Sequence, residues 1–120
     1  MKALVVDDSA VMRKVLIGAL MRANITEVDQ AGDGKEALDA VLAREYDLVL
    51  MDWNMPNMLG IDSVKAIRGS GKTMPIIMVT TEAEKSRVME ALKAGANNYI
   101  IKPFEPNTIV SKIQDVLATA

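Results

Sequence analysis

Asp7, Asp8, Asp52, Thr80 and Lys102 are the residues of this 120-residue chain whose types and placement suit chemistry. Each group follows a short apolar run. ALVV (Ala3 to Val6) leads into Asp7-Asp8, LVLM (Leu48 to Met51) into Asp52, IIMV (Ile76 to Val79) into Thr80, and YII (Tyr99 to Ile101) into Lys102. Taken singly, each has an ordinary reading. Asp7-Asp8 before Ser9 can complement a helix N-terminus, Thr80 and Thr81 can cap a helix, and Lys102 can be an exposed charge at a strand end. Brought together, three carboxylates, a hydroxyl and an amine make a specific demand. Two carboxylates about 5 Å apart repel by roughly 3 kcal/mol at an effective dielectric of about 20. One lysine cannot offset three such pairs, so the site must raise a carboxylate pKa or take up a cation.

The chain contains no histidine and no cysteine. Disulfides, thiolate nucleophiles, Ser–His–Asp triads, imidazole metal ligands and phosphohistidine on this chain are therefore excluded. The ligands that remain are oxygens, which select a hard ion. A site with few carboxylates completed by water suits Mg2+ better than Ca2+. Lys102 and Thr80 supply the positive charge and hydroxyl that a phosphoryl group in transfer requires. Asp52 is then the candidate nucleophile, forming an acyl phosphate.

The elements that would place these residues alternate strand and helix five times. A strand at Ala3 to Val6 precedes a helix at Ala10 to Ala23, with Ser9 at its N-cap and Val11, Val15, Ala19 and Leu20 near helical spacing. Ile25 to Ala31 alternates apolar and polar residues. After the turn Gly32-Asp33-Gly34 a helix runs to about Arg44, with Ala37, Leu38, Val41 and Leu42 inward. Leu48 to Met51 is the third strand and Ile61 to Arg68 a short helix. Ile76 to Val79 is the fourth strand, followed by a helix from about Glu84 to Ala94. Tyr99 to Ile101 is the fifth strand, and the last helix runs from about Asn107 to Ala118, with Ile109, Ile113, Val116 and Leu117 on one side. Continuous apolar strands alternating with helices predict a parallel sheet covered on both faces. The second strand exposes Glu27, Asp29 and Gln30 and belongs at an edge. Right-handed crossovers then favour a doubly wound, flavodoxin-like α/β fold with strand order 2-1-3-4-5, one domain over residues 1–120. In such sheets ligands sit beyond the carboxyl ends of the strands where the order reverses, here between strands one and three.

Composition narrows the class. Half the residues are hydrophobic but 3% are aromatic, so the core must be aliphatic and methionine. The formal charge is −2, with Lys and Arg scattered, which argues against a nucleic-acid or membrane surface. No apolar stretch approaches the roughly 18 residues that span a bilayer, and no signal-peptide layout opens the chain. A cytoplasmic protein is the expectation.

VVDDS (Val5 to Ser9), MDWNMPNMLG (Met51 to Gly60), VTTE (Val79 to Glu82) and YIIKPF (Tyr99 to Phe104) resemble, in order and spacing, the receiver domain of bacterial two-component response regulators. The 2-1-3-4-5 order is that family's own, so the agreement of fold and resemblance is not independent. The resemblance implies that Asp52 takes a phosphoryl group from a phosphohistidine on a partner histidine kinase, and that the chain turns over no separate substrate. It implies Mg2+ held by Asp8, Asp52 and the backbone carbonyl of Asn54, with Asp7 acting largely through water. Thr80 and Lys102 would bind phosphoryl oxygens, and Lys102-Pro103 would be a cis peptide. Thr80 and Tyr99 would be the switch residues, reshaping the face of helix four, strand five and helix five, while Asn54 and Glu82 would tune dephosphorylation.

Trp53, Asn54, Glu82 and Tyr99, with a chain that stops after helix five, resemble most the single-domain chemotaxis type, whose target would be the flagellar motor switch. Leu59 departs from the pattern, standing where many relatives carry Asp; it is either a loop detail or a partner contact. The alternatives are the receiver part of a longer regulator, such as a transcription factor or a methylesterase, and a haloacid-dehalogenase-like phosphatase. The phosphatase normally has a second Asp where this chain has Asn54. A dinucleotide module lacks its glycine-rich loop after strand one.

Overall fold

The computed structural model describes residues 1–119. In chain order the elements are β1 (Lys2–Val6), α1 (Ala10–Arg22), β2 (Glu27–Ala31), α2 (Gly34–Ala43), β3 (Leu48–Met51), α3 (Gly60–Gly69), β4 (Ile76–Thr80), α4 (Lys85–Ala94), β5 (Asn98–Ile101) and α5 (Pro106–Thr119). The strands form one parallel sheet in the order β2-β1-β3-β4-β5, as the strand patterns predict. β3 and β4 are buried along their whole length, whereas β2 at the edge buries only Ala31 fully.

Side chains alternate across the sheet and feed two cores. Leu4, Val6, Val49, Met51, Ile76 and Met78 pack with α2, α3 and α4 through Ala37, Val41, Val64, Ile67 and Ala91. Ala3, Val5, Leu48, Leu50, Ile77 and Val79 pack with α1 and α5 through Leu16, Leu20, Ile109 and Ile113. Each fully buried Leu or Ile side chain contributes about 1.5–3 kcal/mol of transfer free energy, and these layers fix the heights at which the strands end.

The helix faces differ in part from the periodicity reading. On α1, Val11 is 74% and Val15 46% exposed, and the inward residues are Leu16, Ala19 and Leu20. This helix is apolar on most sides, so spacing could not decide which stripe meets the sheet. On α2, Leu42 is 53% exposed because the covered side runs along Gly34, Ala37 and Val41, with Leu38 packed at its margin. The second strand begins at Glu27 and not Ile25. The Ile25 N–H donates to the Leu20 carbonyl at 2.9 Å and closes α1, so Ile25 is buried without joining the ladder.

Two residues at helix starts matter for the site. Asp33 caps α2, its carboxylate accepting from the Glu36 N–H at 2.8 Å. Leu59 occupies the N-cap of α3 and offers no side-chain acceptor. Its departure from the family pattern is therefore a missing cap, with its side chain 40% exposed. Replacing Leu59 by Asp or Ser should stabilise the protein by about 1 kcal/mol, raising Tm by several degrees in a thermal melt. An unchanged Tm in both variants would show that the α3 N–H groups are already satisfied.

Candidate functional site

Register places the reactive residues. Val6 lies level with Ala31 of β2 and with Met51 of β3, so Asp7 and Asp52 leave the sheet side by side. The Asp7 N–H still donates to Ala31 O at 3.1 Å and the Asp52 N–H to Val6 O at 3.0 Å. On the other side Thr80 pairs with Ile101, and the Lys102 N–H donates to Thr80 O at 2.8 Å. Sheet hydrogen bonds thus hold the backbones of all four positions at one edge, Asp7 and Asp52 at the switch point between β1 and β3 and Thr80 and Lys102 beside it at the ends of β4 and β5.

The carboxylates converge as expected. Asp7, Asp8 and Asp52 each offer an oxygen, all within 4.8 Å of one another. Asp7 and Asp52 are buried and Asp8 is exposed. Asp7 is fully engaged: Oδ1 accepts from the Ser9 N–H at 2.9 Å and Oδ2 from Lys102 Nζ at 2.7 Å. Its carbonyl oxygen accepts from Arg13 Nη1 at 2.7 Å. Asp52 Oδ1 accepts from the Trp53 N–H at 2.7 Å, while its Oδ2 lies 3.5 Å from Lys102 Nζ. Lys102 therefore serves both buried acids and favours Asp7. The Lys102-Pro103 peptide is cis.

Burial pushes the Asp52 pKa above the ordinary carboxylate range, and the nearby Asp7 charge adds to this; Lys102 and the Trp53 N–H pull the other way without cancelling it. The net rise is the electrostatic frustration that the residue types imply.

Around this centre lie the remaining expected residues. Thr80 is fully buried, and its hydroxyl oxygen accepts from the Glu82 N–H at 3.3 Å. Asn54 is exposed and its Nδ2 donates to Glu82 Oε1 at 2.9 Å, so the two span the mouth of the site. Tyr99 is turned inward and buried, not lying as a half-exposed edge aromatic, and its hydroxyl donates to the Glu82 carbonyl at 2.7 Å. Burial, with the Glu82 and Asp52 charges, pushes its pKa up to about 12, so it is a neutral donor near pH 7. Sequence reasoning did not find Arg87, whose guanidinium stacks 5.5 Å from the Trp53 ring centroid, nor Arg13 beneath Asp7, nor the bond between Asn57 and Asp33. No motif marks these long-range pairings.

At one edge a doubly wound sheet gathers three carboxylate oxygens that could hold a hard cation, beside a buried hydroxyl and an ammonium. The family model of the response regulator receiver domain matches residues 3–114. The chain is 50% identical over 122 aligned residues to a chemotaxis protein CheY homolog of Campylobacter jejuni, covering 99% of this chain and 94% of that protein. It is 48% identical to chemotaxis protein CheY1 of Helicobacter pylori, with 99% and 98% covered. The solved structure of chemotaxis response regulator CheY4 of Vibrio cholerae superposes with a TM-score of 0.86 at 38% identity, covering 96% of this chain and 97% of that one. The chain belongs to the response regulator receiver family: it is a CheY-like signalling switch and not a substrate-turnover enzyme. That sets aside the phosphatase alternative.

Asp52 yields a pH prediction for the metal-free protein. Because its folded pKa lies above its unfolded value, the folded state holds the extra proton between the two. Stability should fall as pH rises from about 4 through the raised pKa, and the deficit remains at pH 7. Asp52→Asn should lack this decline and be more stable at pH 7 by roughly 1 kcal/mol, because the lost Lys102 attraction offsets much of the burial and Asp7 repulsion that the substitution relieves. Urea melts across pH check it; parallel stability curves for the two proteins would contradict it.

Proposed function

We propose that Asp52 is the phosphoacceptor of this receiver and that it takes its phosphoryl group from a phosphohistidine on a partner histidine kinase. The observation that carries this reading is the convergence of Asp7, Asp8, Asp52, Thr80 and Lys102 at one sheet edge. Asp52 Oδ2 is the oxygen without a backbone donor and is the attacking atom. A bond forms between Oδ2 and phosphorus as the bond from phosphorus to the donor imidazole nitrogen breaks, and the electron pair goes to that nitrogen, so that a donor ring protonated from solvent on its other nitrogen leaves as the neutral imidazole. The Lys102 ammonium and the Thr80 hydroxyl then hold phosphoryl oxygens.

The all-oxygen donor set fits Mg2+. Asp8, Asp52 and the Asn54 carbonyl would hold it directly. Asp7, already committed to Ser9 and Lys102, fits a contact through water. When bound, the ion neutralises the carboxylates and the phosphoryl charge.

The switch runs through Glu82. Its N–H donates to the Thr80 hydroxyl and its carbonyl accepts from the Tyr99 hydroxyl, so one peptide segment joins both residues. Drawing Thr80 toward a phosphoryl oxygen removes the first bond and changes the seat of Tyr99. That would reshape the face of α4, β5 and α5, where Met89, Leu92 and Ile101 are exposed. The relatives named for chemotaxis support a flagellar motor switch as the target of that face. Among the described residues no helix is long and apolar enough to cross a membrane.

Trp53 follows Asp52 and is the only tryptophan, so its emission reports on the site. Emission should change with Mg2+ and change again with acetyl phosphate, and intact mass should show one added phosphoryl group on the wild type and none on Asp52→Ala. Modification of the Ala variant would move the acceptor elsewhere. Asn54 and Glu82 face the route of the hydrolytic water, and Asn54→Ala should slow dephosphorylation by about tenfold, the rate equivalent of one hydrogen bond, while phosphorylation survives. Loss of phosphorylation in that variant would count against the tuning role.

A further inference from the structure

The loop from Trp53 to Leu59 carries the Asn54 carbonyl and must return the chain from Asp52 to α3. Its base is closed tightly. Gly60 N–H donates to Trp53 O at 2.8 Å, and a Cβ on Gly60 would lie 1.8 Å from the Asp52 carbonyl oxygen, so only glycine lets the two backbones approach. Its tip is tied to α2. The Gly34 N–H donates to Met58 O at 3.2 Å, a Cβ on Gly34 would meet that oxygen at 2.6 Å, and the Ser63 hydroxyl donates to Gly34 O at 2.8 Å. The Ser63 bond comes from α3; among the described residues, the one side-chain bond from the loop itself to α2 runs from Asn57 Nδ2 to Asp33 Oδ2, at 2.7 Å.

Both partners are built for this contact. Asp33 is 5% exposed, and its other oxygen is taken by the Glu36 N–H at 2.8 Å, which fixes the carboxylate at the start of α2. Hydrogen bonds from the Glu36 N–H and from Asn57 hold the Asp33 pKa below its ordinary value, so it stays an ionised acceptor at neutral pH. Asn57 has φ +66, the left-handed region that Asn tolerates better than most side chains. The strained backbone therefore persists with a side chain whose amide reaches an anchored carboxylate.

We infer that the bond between Asn57 and Asp33 is a latch that positions the loop carrying the Asn54 carbonyl, making both of them positioning residues for the cation and phosphoryl site although neither touches it. The inference rests on the receiver reading above. A metal ligand must be held within about 0.5 Å, and a backbone carbonyl on a free loop is not. The latch supplies that restraint from a second helix.

The test titrates Mg2+ against Trp53 emission on four proteins and then adds acetyl phosphate at saturating Mg2+. Asn57→Gly keeps the positive φ and the net charge but removes the amide. It should weaken Mg2+ binding by about tenfold, the low end of what metal sites lose with an outer partner. At saturating Mg2+ its phosphorylation rate by acetyl phosphate should return toward that of the wild type. The swapped pair Asp33→Asn with Asn57→Asp keeps the charge and reverses the hydrogen bond, and should restore Mg2+ affinity to within roughly twofold. Val116→Ala, on the far face of the sheet, controls for general destabilisation and should bind Mg2+ like the wild type. Unchanged affinity in Asn57→Gly, an equal loss in Val116→Ala, or failure of the swap to restore binding would each overturn the latch. A wild type that ignores Mg2+ would take down the metal-dependent phosphoacceptor reading as well, whereas a responsive wild type with an unaffected Asn57→Gly removes the latch alone.

Discussion

Two buried carboxylates share one ammonium, and a third stands beside them. Lys102 reaches Asp7 at 2.7 Å and Asp52 at 3.5 Å, and Asp8 looks outward without it. In a domain whose net stability is about 5–15 kcal/mol, concentrating like charge at a buried edge is expensive. The strands are apolar up to the residue before each polar group, so the polar cluster begins where the core ends. The sheet register then aligns those ends to a common height, and backbone hydrogen bonds from Asp7, Asp52 and Lys102 hold it. The fold thus concentrates its electrostatic cost in one place and surrounds it with well-packed aliphatic layers. Burial and charge pull against each other at Asp52, and a fold that tolerates such a conflict tends to do so where it has a use for it.

Much of this was legible in the residues. Strand order followed from which strands were apolar on both faces, and the site followed because parallel strands present their carboxyl ends together. The parts that were not legible share a physical reason. On α1 nearly every position is apolar, so Val11 and Val15 looked as suited to the core as Leu16 and Leu20, and only packing against β1 and α5 chose between them. Arg87 over Trp53 and Asn57 on Asp33 join exposed or loop residues far apart in the chain, and no local period encodes such pairs. Leu59 was visible as a departure, but its meaning, an uncapped α3, required the helix start to be placed.

The β3–α3 loop and the β4–α4 loop meet the acidic centre differently. The first is rigid by construction, with a glycine at each close approach and a carboxylate anchor on α2. The second is held by single hydrogen bonds. Glu82 accepts Asn54 with its carboxylate, donates to Thr80 with its N–H and accepts Tyr99 with its carbonyl. A ligand site needs the rigid wall, while a signal needs the other wall to move.

The energies suit that division. A neutral hydrogen bond contributes about 0.5–1.5 kcal/mol net, so the bonds through Glu82 sum to a few kcal/mol, a gap that one phosphoryl group can reverse. Tyr99 is well placed to report the reversal. Its pKa of about 12 keeps it neutral near pH 7, so in the proposed switch any movement of its ring would change packing and one hydrogen bond, not charge. A charged residue there would tie the switch to pH and salt. A neutral phenol makes the response depend on where the Glu82 carbonyl sits, and hence on Thr80. On the proposed reading the phosphoryl group would not have to reach the output face itself. It would have only to compete for the Thr80 hydroxyl, because the residue whose N–H holds that hydroxyl, Glu82, also carries the carbonyl that accepts from Tyr99 on β5.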